Sequence, residues 1–134
     1  MIKLKKGLGV ALVAMFLGGC ETLPQDLDAM PAYESFVVNE NFNDLYYRLT
    51  TAQSKVTVCR AILSSNIYVD RGEFRIYYGL VSGGIAPVTI TTNAVYATKQ
   101  GDQTAVVLKD GATTLPHNKT TRQLSNFVKT GNCK

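Results

Sequence analysis

The sequence predicts an α+β fold: one small domain in which an antiparallel sheet of three to four strands carries two helices on one face, in the order β-α-β-β-β-α. Three observations support this prediction. Apolar residues recur at steps of three and four after residue 41, which indicates an amphipathic helix. Apolar and polar residues then alternate between Gly- and Asp-containing turns, and a second helical pattern precedes the last residues.

The first predicted elements are a short strand and a helix. Residues 33–39 are rich in aromatic and β-branched side chains, which favour strands. Any of three asparagines could cap the start of the following helix: Asn39, Asn41 and Asn43. The apolar face of this helix consists of Phe42, Leu45, Leu49, Ala52, Val56 and Cys59. We expect the helix to end between residues 54 and 63.

The middle of the chain predicts a meander of antiparallel strands paired in sequence order. A short additional strand at residues 67–70 precedes the turn at residues 70–72. The side chains predicted to share one sheet face in the next strand are Phe74, Ile76, Tyr78 and Leu80. Further alternating runs follow at residues 88–97 and 104–109, separated by the turn at residues 100–102.

The last predicted element is a helix over residues 115–130. Its apolar face consists of Leu124, Phe127 and Val128, and Gly131 suits the position after a helix. In this arrangement both helices can cover the same face of the sheet.

The first nineteen residues have the features of a secretory signal peptide. Residues 1–6 contain three lysines and no acid, residues 8–16 form a short apolar run, and small residues precede Cys20. The run is too short to span a bilayer alone, since a spanning helix needs about 20 apolar residues. The ending LGGC at residues 17–20 resembles the lipobox of bacterial lipoproteins. That resemblance implies cleavage before Cys20 and acylation of Cys20 on its sulfur and its new amino group.

Residues 1–19 are thus interpreted as a removed signal, residues 20–32 as the acylated cysteine with a tether, and residues 33–134 as a periplasmic domain. Residues 21–32 contain two prolines and three acids without a clear period, which is typical of a linker. The alternative is that part of this segment packs on the domain surface. Glu21 follows the cysteine; in the lipoprotein sorting rule of enteric bacteria, aspartate there favours the inner membrane, so its absence implies the outer membrane.

The charge of the chain lies largely in the signal. The chain has 14 basic and 10 acidic residues, and removing three lysines with the signal leaves 11 basic residues against the same 10 acids. The remaining 115 of 134 residues are enough for one hydrophobic core and too few for two. A nearly neutral domain lacks the clustered basic charge of nucleic-acid-binding proteins, so no nucleic-acid partner is expected.

The cysteines predict a disulfide. Once Cys20 is acylated, Cys59 and Cys133 remain as an even pair, which in an exported protein favours a structural bridge. Such a bridge closes a loop of roughly 75 residues, for which the chain-entropy relation gives about 4 kcal/mol. The alternative is a redox or metal site, but redox pairs are usually Cys-x-x-Cys and zinc needs about four ligands. No metal or cofactor is expected.

The sequence contains no recognisable catalytic motif. His117 is the single base of the usual kind, and no triad-like motif accompanies it, so we interpret it as a solvated residue of the first helical turn. The acids Asp70, Glu73, Asp102 and Asp110 lie mostly in turn-like contexts, where Asp bonds its own backbone. We therefore expect a non-enzymatic protein.

Arg75 and Tyr77 are the candidate interaction residues. Tyr77 and Tyr78 point to opposite sheet faces, so at least one of them is expected at the surface. An exposed tyrosine beside Arg75 would suit a protein- or glycan-binding face, because aromatic residues and arginine are favoured at interface hot spots. The alternative is that the tyrosine rings lie at the edge of the hydrophobic core, with their hydroxyl groups in contact with water.

From residue 33 to residue 133, the layout is a strand, a helix with a cysteine near its end, an antiparallel meander, a helix and a terminal cysteine. This layout resembles small uncharacterised lipoproteins of proteobacteria and, more loosely, the helix-grip domains of the outer-membrane assembly lipoprotein BamC. The resemblance implies a membrane-anchored envelope protein that contacts another envelope protein or assembly. The alternative function is binding of a small ligand, glycan or lipid in a groove between the helices and the sheet.

Overall fold

The structure, a computed structural model, describes residues 24–51, 61–111 and 117–133. The elements in chain order are α1 (Pro24–Ala29), β1 (Glu34–Val38), α2 (Phe42–Thr51), β2 (Ala61–Tyr68), a 3₁₀ turn (Val69–Arg71), β3 (Glu73–Ser82), β4 (Val88–Gln100), β5 (Gln103–Asp110) and α3 (His117–Thr130). Within these residues, five strands form one antiparallel sheet in the order β1-β5-β4-β3-β2. The predicted pairing of the meander in sequence order is confirmed.

The predicted fold class is α+β, as observed, but its sheet of three to four strands is wrong because the described sheet has five. The difference lies in β2, which begins at Ala61, whereas the sequence predicts a helix that can reach Leu63 and a strand only at residues 67–70. A bulge between Ile62 and Ser64 interrupts the alternation of side chains in β2. The period-two pattern is therefore visible only at the end of this strand.

Helices α2 and α3 cover one face of the sheet, as predicted. The residues predicted for their apolar faces are buried where the structure describes them: Phe42, Leu45, Leu49, Leu124, Phe127 and Val128. They pack on alternate residues of the central strands, among them Phe74, Ile76, Tyr78, Val95, Ala97, Val106 and Leu108. Ala52, Val56 and Cys59 lie outside the described residues. The core of the domain is this helix–sheet layer.

The helix ends follow local sequence signals. Of the three candidate capping asparagines, Asn41 caps α2, since its side-chain oxygen accepts the backbone N–H of Asn43 at 2.9 Å. Gly131 ends α3 with φ +81° and donates its N–H to the carbonyl of Phe127 at 2.8 Å. The left-handed conformation at this position is accessible to glycine without a steric penalty.

Arg48 joins the two helices. Its guanidinium donates to the carbonyls of Phe127 at 3.2 Å and Val128 at 2.7 Å, in the last turn of α3, and pairs with Glu40 at 2.9 Å. A cation at the carbonyl end of a helix satisfies backbone acceptors and complements the helix dipole. The end of α3 is therefore fixed against α2.

Glu34 joins the edge strand β1 to α3. Its carboxylate accepts the hydroxyl of Ser125 at 2.6 Å and pairs with the ammonium of Lys129. The hydrogen bond from Lys129, followed by that from Ser125, lowers the pKa of Glu34. The ionised carboxylate is thus the form that the folded protein stabilises.

The predicted number of helices, two, is wrong, because the described residues contain a third, α1, which packs on the face of the sheet opposite α2 and α3. The sequence predicts a tether over residues 24–29, with packing on the domain surface as the alternative. The pattern offered little signal for a helix, because α1 has six residues and buries a single side chain, Leu27.

The hairpin of β3 and β4 extends past its neighbours. In the described residues, the pairing of β2 with β3 reaches Gly79 and the pairing of β5 with β4 reaches Asn93. We call residues 80–90 the arm. Leu80, which the sequence places on the same face as the core residues of β3, lies in the arm and is 48% exposed. Unlike Phe74, Ile76 and Tyr78, Leu80 is therefore not part of the core.

Candidate functional site

Helix α1 covers part of the sheet face opposite the core, and we call this surface, with the helix on it, the α1 face. Leu27 is fully buried between Tyr77 and Ala94, and Met30 and Tyr96 pack around them. The small side chain of Ala94 leaves room for Leu27 on the central strand. Burial of one leucine contributes about 1.5–3 kcal/mol relative to exposure, so this contact is the main apolar attachment of α1.

Asp28 is the polar centre of the α1 face. Its carboxylate accepts the hydroxyl of Tyr77 at 3.1 Å and the hydroxyl of Tyr96, and lies 3.9 Å from the guanidinium of Arg75. The ammonium of Lys109 donates to the carbonyl of Met30, just past the end of α1. These contacts fix the short helix at both its side and its carboxyl end.

The two residues that the sequence selects as an interaction surface have different environments. Tyr77 is only 7% exposed because α1 lies over it, and burial, followed by the hydrogen bond to Asp28, raises its pKa. The side chain of Arg75 is 40% exposed and remains accessible beside α1. The expectation that at least one of Tyr77 and Tyr78 is at the surface is wrong, since Tyr78 is 1% exposed in the core on the other face.

The accessible part of the α1 face combines positive charge with an aromatic ring. The guanidinium of Arg75 lies 5.5 Å and the ammonium of Lys109 lies 5.8 Å from the centre of the Tyr96 ring. A shallow depression of about 120 Å³ lies here, lined by Glu73, Phe74, Arg75, Tyr96, Ala97 and Thr98. Small-molecule pockets are typically about 300–1,000 Å³, so this depression suits a single side chain of a partner better than an enclosed ligand.

A second polar cluster lies inside the core, where α3 meets β4. The amide nitrogen of Asn93 donates to the hydroxyl of Thr121 at 2.9 Å, and that hydroxyl donates to the carboxylate of Asp110 at 2.8 Å. Among the described residues, the hydroxyl of Tyr78 and the side-chain oxygen of Asn93 have no hydrogen-bond partner. Burial raises the pKa of Tyr78 far above its ordinary value. Asn93 and Thr121 are buried and Asp110 is partly buried, and their hydrogen bonds join α3 to β4 and to the end of β5.

The remaining predicted site residues are described only in part. Cys133 is disulfide-bonded. Cys20 and Cys59 lie outside the described residues, so the pairing of Cys59 with Cys133 and the acylation of Cys20 stay predictions. His117 begins α3, and its side chain is outside the described part of the chain. Among the described residues, no three His, Cys, Asp or Glu side chains come together as metal ligands.

Comparison of the chain with known protein families, with curated proteins and with solved structures finds no match. None of the described helices has the length and apolar composition needed to cross a bilayer.

Arg75 could be selected from the sequence, but three residues that build its surroundings were missed: Leu27, Asp28 and Tyr96. Leu27 and Asp28 lie in a segment with two prolines, whose composition indicates a linker. The one usable signal was an isolated leucine flanked by acids, which by itself does not identify the surface that it covers.

Proposed function

We propose that this protein is a non-enzymatic lipoprotein of the bacterial envelope, held in the membrane by acyl chains on Cys20, and that its domain contacts another envelope protein. The LGGC ending of the signal is the observation that carries this proposal. Two or more long acyl chains anchor a protein firmly, since each buried methylene contributes about 0.8 kcal/mol. Glu21 favours the outer membrane, with the domain in the periplasm.

The accessible part of the α1 face is the contact surface that we propose. Arg75 is partly exposed, is positioned by Asp28 and lies beside the Tyr96 ring, and such arginine–aromatic pairs are frequent at interface hot spots. An acidic side chain of the partner would find the guanidinium of Arg75 and the ammonium of Lys109 on either side of Tyr96. Tyr96 is held by its hydrogen bond to Asp28, Arg75 by its ion pair with Asp28, and Lys109 by its hydrogen bond to the carbonyl of Met30. These contacts reduce the freedom of the three side chains before binding, which lowers the entropic cost of association.

The alternative, a ligand groove between the helices and the sheet, has less support. In the described residues this space is filled by large side chains that are at most 3% exposed, including Phe42, Phe74, Tyr78, Leu108 and Phe127. A ligand there would have to displace packed apolar groups. We therefore favour a protein partner on the opposite face.

The anchor and the contact surface are tested separately. Metabolic acyl labelling of the wild type and of Cys20→Ala should label only the wild type, and label in the variant would contradict the anchor. A photo-crosslinking amino acid is placed at Arg75 and, as a matched control, at Arg122, which is exposed on α3 on the other side of the molecule. We expect an envelope protein to be trapped from position 75 and not from position 122. No product from position 75, with a sugar or lipid retained by the purified protein, would favour the alternative.

A further inference from the structure

The arm is the most apolar exposed feature of the described residues. It pairs residues 80–82 of β3 with residues 88–90 of β4, and residues 83–87 connect them. Ile85, in the connection, is fully exposed, and Val81 and Leu80 are 60% and 48% exposed. An isolated two-stranded hairpin is only marginally stable in water, so an arm of this kind gains stability from whatever covers it.

The arm exposes an apolar side chain on each of its two faces. Leu80 and Val81 are consecutive residues of β3, so their side chains point to opposite sides of the ribbon, and both are exposed. A flat protein surface would cover one side and leave the other in water. An environment that surrounds the ribbon, such as the interfacial region of a lipid layer, covers both sides at once.

The arm also lacks charge. No Asp, Glu, Lys, Arg or His occurs from residue 76 to residue 98, between Arg75 and Lys99. A charged side chain is costly at membrane depth, whereas the Gly, Ser, Ala and Pro residues around Ile85 carry no charge. Soluble surfaces usually interrupt such stretches with charges that discourage association.

We propose that the tip of the arm inserts into the lipid surface that holds the acyl chains of Cys20, so that the domain touches the membrane at two points. This inference rests on the proposed function, because the acyl anchor supplies the lipid surface. Insertion is shallow: the unpaired backbone groups of the connection cannot enter the hydrocarbon core, so the tip reaches the boundary between headgroups and acyl chains.

The distances in the chain agree with two simultaneous contacts. Cys20 precedes Pro24 by four residues, so it lies within about 14 Å of the start of α1. Leu27 packs on Tyr77, and Tyr77 lies two residues, or about 7 Å, from Gly79 at the base of the arm. From Gly79 the arm extends for about 13 Å to the start of its connection at Gly83. The anchor and the tip can therefore reach one membrane plane.

The experiment uses the complete acylated protein and a single tryptophan. The chain has no tryptophan of its own, so Ile85→Trp introduces the sole indole fluorophore. The matched control is Val69→Trp, because Val69 is 62% exposed and lies at the opposite end of β3, about 30 Å along the strand. Each variant is isolated from membranes, its acyl mass on Cys20 is measured, and it is reconstituted in vesicles of phosphatidylethanolamine and phosphatidylglycerol with or without brominated phosphatidylcholine.

We expect the emission of Trp in the Ile85→Trp variant to be blue-shifted and quenched by the brominated lipid, and that of the Val69→Trp variant to be neither. Adding Val81→Asp to Ile85→Trp should reverse the shift and the quenching, because it places a charge on the stem of the arm. Unshifted emission at position 85 in protein with acylated Cys20 overturns this inference and leaves the anchor intact. A blue shift without quenching overturns it in favour of a protein cover, such as a second copy of the chain. Absence of acyl mass on Cys20 overturns both the anchor and the inference that rests on it.

Discussion

The apolar attachment of α1 to the sheet depends mainly on Leu27, so Leu27→Ala is the most direct perturbation of the α1 face. Leu27 is fully buried against Tyr77 and Ala94, and α1 has no other buried residue among those described. Truncation of a buried leucine to alanine costs about 2–5 kcal/mol. We expect a loss of about 2–3 kcal/mol, at the low end of this range, because the six-residue helix can detach from the sheet, and the cost cannot exceed that of losing its attachment.

Detachment of α1 has a second consequence that a simple loss of packing does not have. Burial beneath α1 raises the pKa of Tyr77, and so does its hydrogen bond to Asp28. In Leu27→Ala both causes weaken, so the pKa of Tyr77 should return toward about 10, its value in an exposed site. The phenol of Tyr77 should then ionise at lower pH than in the wild type.

Two assays measure these effects. Urea unfolding, followed by circular dichroism, gives the free energy of unfolding, and tyrosinate absorbance as a function of pH gives the ionisation of Tyr77. Subtracting the titration of Leu27→Ala/Tyr77→Phe from that of Leu27→Ala isolates the phenol of interest. Leu80→Ala is the matched control, since Leu80 is 48% exposed and should cost less than about 1 kcal/mol. A loss below about 0.5 kcal/mol in Leu27→Ala, with an unchanged alkaline titration, would refute the docking of α1.

Three further perturbations test other parts of the fold. Gly79→Ala should cost about 2–3 kcal/mol by urea unfolding, because a Cβ there would lie 2.0 Å from the carbonyl oxygen of Ile90 at the base of the arm. Tyr78→Phe should leave stability at pH 7 unchanged or raise it by up to about 1 kcal/mol, since the buried hydroxyl has no partner among the described residues. It should also reduce the loss of stability above pH 10, because a tyrosine with a raised pKa stabilises the fold only while protonated; an unchanged alkaline unfolding curve would count against this. Glu34→Gln should cost up to about 1 kcal/mol of folding free energy at pH 7 and almost nothing at pH 3. The pKa of Glu34 is lower in the folded protein than in the unfolded chain. Its carboxylate therefore stabilises the fold fully above its unfolded pKa, and this stabilisation disappears as the pH falls through its folded pKa. Equal costs of Glu34→Gln at both pH values would contradict the pairing with Lys129.

The strands of the meander could be predicted because one of their faces is buried against helices. In β3, Phe74, Ile76 and Tyr78 alternate with residues of the other face, and the core selects this alternation directly. The alternation continues to Leu80, which is 48% exposed, because periodicity records which side of a strand is apolar and not how far the packed core extends.

Burial of Tyr77 could not be predicted because its cause is distant in sequence. Tyr77 and Leu27 are fifty residues apart, and α1 is too short to show a helical period. Arg75 was selected because an exposed tyrosine was expected beside it; Arg75 is 40% exposed, but Tyr77 is buried, and the role of Arg75 in an interaction stays a prediction. Local patterns report the average environment of a segment, whereas the α1 face depends on a few contacts between residues that are distant in sequence.

In the proposed lipoprotein, docking of α1 changes what the segment after Cys20 does. A free linker of twelve residues would reach about 40 Å and leave the domain free to rotate. With residues 24–29 held on the sheet, residues 21–23 alone separate the acylated cysteine from the domain, a span of about 14 Å at most. The start of α1 is then held close to the lipid surface that the tip of the arm is proposed to enter. A partner that contacts Arg75 must therefore approach along the membrane surface, which favours a partner that is itself held at the membrane.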